Sequence, residues 1–350
     1  MTAAAALLSV RDLEKRYELA RSARAILTRQ PRRQLHALRQ VSLDLAPGET
    51  LGIVGESGCG KSTLARCMAG LEAPDGGEIL WRGEPLAAVA SGRVRARRIQ
   101  MVFQDPYASL NPRMSLAALL DEVLAVHELA ATRAERRDKV DELLTTVGLA
   151  PRLKDRLPHA LSGGQRQRVS IARALAVSPE VLIADEPVSS LDASIQAQII
   201  NLLEDLRERR KIALVFISHD LNVVRHISDR IAVMYLGQVV ETARTDALFA
   251  QPCHPYTRAL LAAIPKPDPT QRSSALALAG ELPDPAHPPP GCSFSSRCPW
   301  VVPRCTAEAP ALLAMPGQRL VRCSNPDALP HTADARLSED PTGGIRVLSK

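Results

Sequence analysis

With 350 residues and 45% apolar content the chain has material for a substantial core, arranged as one large domain or two to three smaller ones. The net charge of +6, from 44 basic and 38 acidic residues, gathers in "RSARAILTRQPRRQLHALR" and "RVRARR", clusters that suit nucleic acid, lipid headgroups or plain solvent, while 3% aromatic content leaves few platforms for stacking single-stranded bases. No run of about 18 apolar residues occurs and the first residues lack a basic region before their short apolar stretch, so neither a membrane-spanning helix nor a secretory signal is indicated and the cytoplasm is the expected location.

In chain order, "TLGIV" (50–54) reads as a short buried strand that runs into the glycine loop "GESGCGKST" and then the helical "LARCMAGL". Further apolar, β-branched runs at 98–103, 180–185 and 212–218 predict strands, and "RIAVMYLGQVVETA" predicts a hairpin turning near Gly237. Most strands stand alone between helical stretches, the pattern of a parallel α/β sheet. Between 105 and 175 strands give way to helix-forming stretches such as "SLAALLDEVLAVHELA", which predicts a helical subdomain inserted into the sheet domain. Beyond about residue 250 prolines multiply, so the last part of the chain is expected to be an appendage with little regular structure. No internal repeat is found.

"GESGCGKS" matches the P-loop pattern with Gly55, Gly60, Lys61 and Ser62 at the required offsets, between the expected strand and helix. Glycines let the backbone wrap phosphates, Lys61 reaches the β- and γ-phosphates as a point charge, and the Ser62 hydroxyl joins a Mg²⁺ shell. "VLIADEP" puts Asp185 at the carboxyl end of an apolar strand, where open parallel sheets bind ligands, placed to hold Mg²⁺ through water. Glu186, next to it, is the natural general base for an attacking water. A second cradle follows the pattern of a helix N-terminus: in "LSGGQ" Ser162, Gly163, Gly164 and Gln165 offer a hydroxyl and backbone amides to an anion, without a lysine or metal ligand of their own.

With "GESGCGKS", "LSGGQ" and "VLIADEP" in order, then "SSLD" and "FISHD", the chain resembles the ATP-binding subunit of an ABC transporter over roughly residues 7 to 325. The resemblance implies a P-loop NTPase fold (α/β) with an inserted helical subdomain (about 105–175), an N-terminal antiparallel β-subdomain and an irregular, cysteine-containing C-terminal extension. The domain division it implies is 1–250 for the ATPase, 251–330 for the extension and 331–350 for a flexible tail. It also explains the second cradle: two cassettes pack head to tail, and the "LSGGQ" loop of each caps the γ-phosphate held by the P-loop of the other.

Carried over by position, the resemblance makes Gly55, Glu56, Ser57, Gly58, Cys59, Gly60, Lys61, Ser62 and Thr63 the ATP cradle. Gln104 touches Mg²⁺ or the lytic water, His219 is the switch histidine, and Asp192 sits at the dimer seam. Tyr17 resembles the aromatic that stacks on adenine, although core or edge packing accounts for a tyrosine there equally well. Ser190 departs from the family, which usually has alanine in that loop.

"QDPYASLNPRM" and "QPCHPYTRALLAAIP" resemble the dipeptide, oligopeptide and nickel importer branch, and the long N-terminal insertion "YELARSARAILTRQPRRQLHALRQVSL" resembles its second (F-type) ATPase. That branch implies a second, different ATPase subunit, two transmembrane permease subunits, an extracytoplasmic peptide-binding protein, and a peripheral place on the cytoplasmic face of the membrane, with no direct nucleic-acid partner. The competing reading is a soluble ABC-type ATPase acting on nucleic acid or the ribosome, for which a long coiled coil or second cassette is missing. Four of the seven cysteines, Cys292, Cys298, Cys305 and Cys323, follow a C-x₅-C-x₆-C-x₁₇-C spacing, and in a reducing compartment metal ligation is more economical than disulfides. Thiolate sites take zinc or an iron–sulfur cluster; the branch resemblance favours [4Fe–4S], with a structural role. Cys59, Cys67 and Cys253 read as ordinary small residues.

Overall fold

A computed structural model describes residues 6–19, 33–89, 92–264 and 281–326. Most of the N-terminal insertion (20–32), the proline run of 265–280 and the expected tail of 331–350 lie outside the described residues.

The chain opens with two long strands, β1 (Leu8–Glu18) and β2 (Gln34–Leu45), followed by β3 (Thr50–Val54) and helix α1 (Lys61–Met68). Strands β4 (Gly76–Trp81), β5 (Glu84–Pro85) and β6 (Ile99–Val102) come next. Helices α2 (Leu116–Val126), α3 (Arg133–Thr146) and α4 (Gly163–Leu175) then lead to β7 (Val181–Asp185), and the described residues between Val102 and Val181 hold no strand. After β7 come α5 (Ala193–Arg210), β8 (Ala213–Ile217), α6 (Leu221–Ile227), β9 (Arg230–Tyr235) and β10 (Gln238–Arg244). Helices α7 (Thr245–Ala250) and α8 (Pro255–Ala262) and the short strands β11 (Leu313–Met315) and β12 (Arg319–Val321) complete the fold.

Two sheets result. The order β2-β1-β4-β5 is an antiparallel sheet, the N-terminal β-subdomain that the resemblance implies. The order β11-β12-β10-β9-β3-β8-β7-β6 is a mixed sheet whose β9-β3-β8-β7-β6 portion is parallel. Every residue of β3, β7 and β8 is buried, as a parallel sheet covered on both faces requires. Their alternation divides the core: Leu182, Ala184, Leu214 and Phe216 face the helices α2–α4, whereas Val181, Ile183, Val215 and Ile217 pack with the antiparallel sheet and α1. The hairpin joining β9 to β10 turns on Leu236 and Gly237, both at positive φ, which is the turn whose twist suits a two-residue loop.

The described C-terminal region has little regular structure but is joined to the main sheet. β12 pairs antiparallel with β10 (Glu241 with Val321), so the tail extends the main sheet, and Tyr256 and Phe294 belong to its core. Glu241, fully buried, fastens this edge: its carboxylate accepts from the amides of Cys253 (2.9 Å) and His254 (2.8 Å) and pairs with Arg319 at 3.5 Å. Burial pushes its pKa up, and these donors oppose that shift. Strands of three residues among prolines are too short to show a periodicity, which is why sequence pattern misses them.

Candidate functional site

Four consecutive neighbours of the main sheet, β3, β8, β7 and β6, deliver their carboxyl ends to one place. The loop after β3 is the P-loop, and two of its glycines are there for want of room. At Gly55 (φ +154°) a Cβ would lie 2.2 Å from the carbonyl oxygen of Met234, and at Gly60 (φ +104°) 2.3 Å from that of Ala37. Lys61, only 5% exposed, donates through Nζ to the carbonyls of Gly55 (2.8 Å) and Glu56 (2.9 Å). Ser62 Oγ donates to Asp185 Oδ1 at 3.1 Å.

Asp185 is 4% exposed, and burial raises its carboxyl pKa against the opposing hydrogen bond from Ser62. A carboxylate so desolvated beside a hydroxyl is a donor pair suited to a hard cation such as Mg²⁺. Glu186 follows at φ +45°, with its amide donating to the carbonyl of Ile217 at 3.0 Å. This sparsely populated backbone turns its carboxylate toward the ends of β6 and β8. There Gln104 Nε2 donates to Glu186 Oε2 at 3.1 Å, and His219 Nδ1 lies 3.3 Å from the same oxygen. Lys61, Ser62, Gln104, Asp185, Glu186 and His219 are thus brought together, an arrangement able to bind a polyphosphate, hold a metal and accept a proton.

Tyr17 lies on β1, its hydroxyl facing Thr63 of α1 and Glu72 beyond it without forming a hydrogen bond of good geometry; burial raises its pKa. Lys15 Nζ stands 5.6 Å from the centre of its ring. Ser162 caps α4 in a reciprocal box, accepting from the Gln165 amide at 3.3 Å while its own amide donates to Gln165 Oε1 at 3.1 Å. Among the described residues no hydrogen bond joins this loop to Gly55–Thr63. Its glycines have a packing reason as well: a Cβ on Gly164 would lie 2.4 Å from Ile195 Cγ2, and one on Gly163 3.2 Å from Leu191 Cδ2. Asp192 is exposed at the N-cap of α5 and makes no capping bond there.

Glu56 has partners outside the nucleotide motifs. Its carboxylate takes both prongs of Arg297, Nη1 to Oε2 at 2.9 Å and Nη2 to Oε1 at 3.1 Å, and its amide donates to the hydroxyl of Tyr256 at 2.9 Å. The C-terminal region therefore touches the P-loop. No spacing rule relates residues 241 positions apart, although "HPYTRALL" marks the helix that carries Tyr256.

Cys292, Cys298, Cys305 and Cys323 line one small pocket with Phe294 and Trp300. Burial, and then the neighbouring thiols, raise Cys298 and Cys323 to about 11 and Cys292 in the same direction. The open space is about 10 Å³, at the lower edge of what one water needs. Among the described residues no group of three or more His, Cys, Asp or Glu is disposed to hold a metal ion. The four cysteines are free thiols converging on one pocket, a donor set whose chemistry suits a soft metal. Cys59 and Cys67 are buried in the core, as ordinary small residues are. No described helix is long and apolar enough to cross a membrane.

Comparison with known proteins agrees with this geometry. The ABC transporter family matches residues 38–189, and the oligopeptide/dipeptide transporter C-terminal region matches residues 240–305. The chain is 49% identical to a probable peptide ABC transporter ATP-binding protein of Sinorhizobium fredii, over 95% of this chain and 94% of that one. It is 47% identical to a di/tripeptide transport ATP-binding protein of Pseudomonas aeruginosa, over 91% and 97%. A solved ATP-binding cassette, described as a dimeric post-hydrolysis state bound to ADP and Pi, superposes with a TM-score of 0.59 at 29% identity, over 68% of this chain and 98% of that one.

Proposed function

We infer, from the premise that this chain belongs to the ABC transporter family of ATP-binding proteins, that it binds and hydrolyses ATP to drive peptide import through separate membrane subunits. The observation that carries the reading is the convergence of Lys61, Ser62, Gln104, Asp185, Glu186 and His219 at one end of the parallel sheet. The peptide assignment draws on the named relatives and on the match of residues 240–305 to the peptide-importer C-terminal region.

In this reading residues 55–63 cradle the phosphates, with Lys61 leaving its loop carbonyls for the β- and γ-phosphates. Ser62, Asp185 and Gln104 would hold Mg²⁺, which would neutralise phosphate charge. Glu186 takes the proton of the attacking water, and His219 and Gln104 fix its carboxylate. Tyr17 borders the base. Ser162 to Gln165 and Asp192 serve the site whose P-loop belongs to a second ATPase subunit, so the working unit is a dimer, docked on two permease subunits at the cytoplasmic face of the membrane and fed by an extracytoplasmic binding protein. The domain limits of 1–250, 251–330 and 331–350 belong to the same proposal. The four cysteines are proposed to hold a structural [4Fe–4S] cluster, with zinc as the alternative; their convergence on one pocket supports this, and the pocket would have to open to admit either.

A role on nucleic acid or the ribosome has less support. In the basic stretch 93–98 Arg93 pairs with Glu128, Arg95 and Arg97 bond to the carbonyls of Gly70 and His127, and Arg98 stacks on Trp81. Purification of tagged chain from membranes, with mass spectrometry of what accompanies it, tests the reading: permeases and a second ATPase subunit support it, and ribosomal or nucleic-acid-bound partners in their place reject it.

A further inference from the structure

Glu56 is held on all three of its polar groups. Its amide donates to Tyr256 of α8, its carbonyl accepts from Lys61 Nζ, and its carboxylate takes the Arg297 fork. The Arg297 side chain is 6% exposed and that of Glu56 24%, so this is a largely desolvated, two-pronged pair, far stiffer than a surface salt bridge.

The segment carrying Arg297 is itself anchored. Phe294 packs against Tyr235 and Tyr256 with ring centres 5.3 and 5.5 Å away. Ser293 accepts from Arg39 of β2 at 3.1 Å and donates to Gln238 of β10 at 2.6 Å. Cys292 and Cys298, which bracket the segment, both line the thiol pocket. The C-terminal extension thus presents a fixed guanidinium to the P-loop.

We propose that Arg297 is a positioning residue for nucleotide binding: its fork neutralises Glu56 and fixes it in the loop that cradles the phosphates, leaving Lys61 able to turn from the Glu56 carbonyl to the phosphates, so that the C-terminal extension sets the P-loop's affinity for MgATP. The inference rests on the nucleotide reading of the P-loop. Without Arg297 the Glu56 carboxylate is an unpaired, poorly solvated charge in the phosphate cradle, free to draw Lys61 aside and to repel the phosphates.

The test is calorimetric titration of the full chain with MgATP, alongside circular dichroism for folding. Arg297→Gln is expected to bind on the order of tenfold more weakly than wild type. Glu56→Gln added to Arg297→Gln is expected to recover most of that loss, because no charge is then left unpaired; a role confined to folding the tail gives no such rescue. Arg297→Lys keeps the charge without the fork, is expected to fold even where Arg297→Gln does not, and is expected to bind several-fold more weakly. Wild-type affinity in Arg297→Gln or in Arg297→Lys, or a double variant as weak as the single one, overturns the proposal while the nucleotide reading stands. A wild-type chain that binds no MgATP overturns both.

Discussion

Nδ1 of His219, at the end of β8, lies 3.3 Å from Oε2 of Glu186, at the end of β7. The pair bridges two adjacent parallel strands, and Gln104 from a third strand end donates to the same oxygen. Three short strands with unrelated local sequences thereby hold one carboxylate oxygen, which is the arrangement a general base needs to keep its orientation.

Glu186→Gln keeps the shape of this side chain and removes its basicity. ATP turnover in the assembled transporter is expected to fall by about 10² to 10⁴, with nucleotide binding intact. Steady-state hydrolysis and ATP titration on the same preparation check it; unchanged hydrolysis removes Glu186 from the base position.

Lys61→Ala acts on binding instead. Charge-assisted hydrogen bonds contribute about 1.5–3 kcal/mol, so MgATP affinity is expected to drop by about 10- to 100-fold. An ATP titration matching wild type would leave Lys61 without its phosphate role.

Gly164→Ala tests the helix contact in the "LSGGQ" segment. With Ile195 Cγ2 at 2.4 Å from the new Cβ, the variant is expected to lose about 1–3 kcal/mol of stability. Combining it with Ile195→Ala should cost less than the two changes summed, because the obstructing methyl is gone. Chemical denaturation of the four proteins measures the cycle, and strict additivity would mean that the two positions do not meet.

The four thiols make a separate prediction. Chain purified without oxygen is expected to be brown and to contain iron and sulfide, both lost on Cys298→Ser. Zinc in place of iron keeps the four-ligand proposal and rejects the cluster, and metal-free chain with an ordered tail rejects both.

Much of the catalytic end was legible because it is built from local signals: an apolar β-branched strand, then a glycine loop or a pair of acids. The strands β3, β7 and β8 fall within the runs their apolar character marks. β1 was not legible from pattern, since register shifts around Asp12, itself at φ +44°, break the alternation that a strand reading needs. Gly163 and Gly164 read as exposed amides for an anion, and their helix packing against Leu191 and Ile195 emerges only once α4 and α5 meet. The Arg297–Glu56 pair has no local signal at all, because it exists only when the C-terminal segment carrying Arg297 packs against the P-loop.

On the proposed reading this chain is one half of a composite ATPase that works in a membrane transporter. The most direct measurement is MgATP turnover by the purified chain alone and after reconstitution with its second ATPase subunit and permeases in lipid. Slow turnover is expected of the chain alone and a large rise on assembly, because on this reading the P-loop of one subunit needs the "LSGGQ" loop of the other. Full turnover by a strictly monomeric preparation, unchanged by the other subunits, would contradict it.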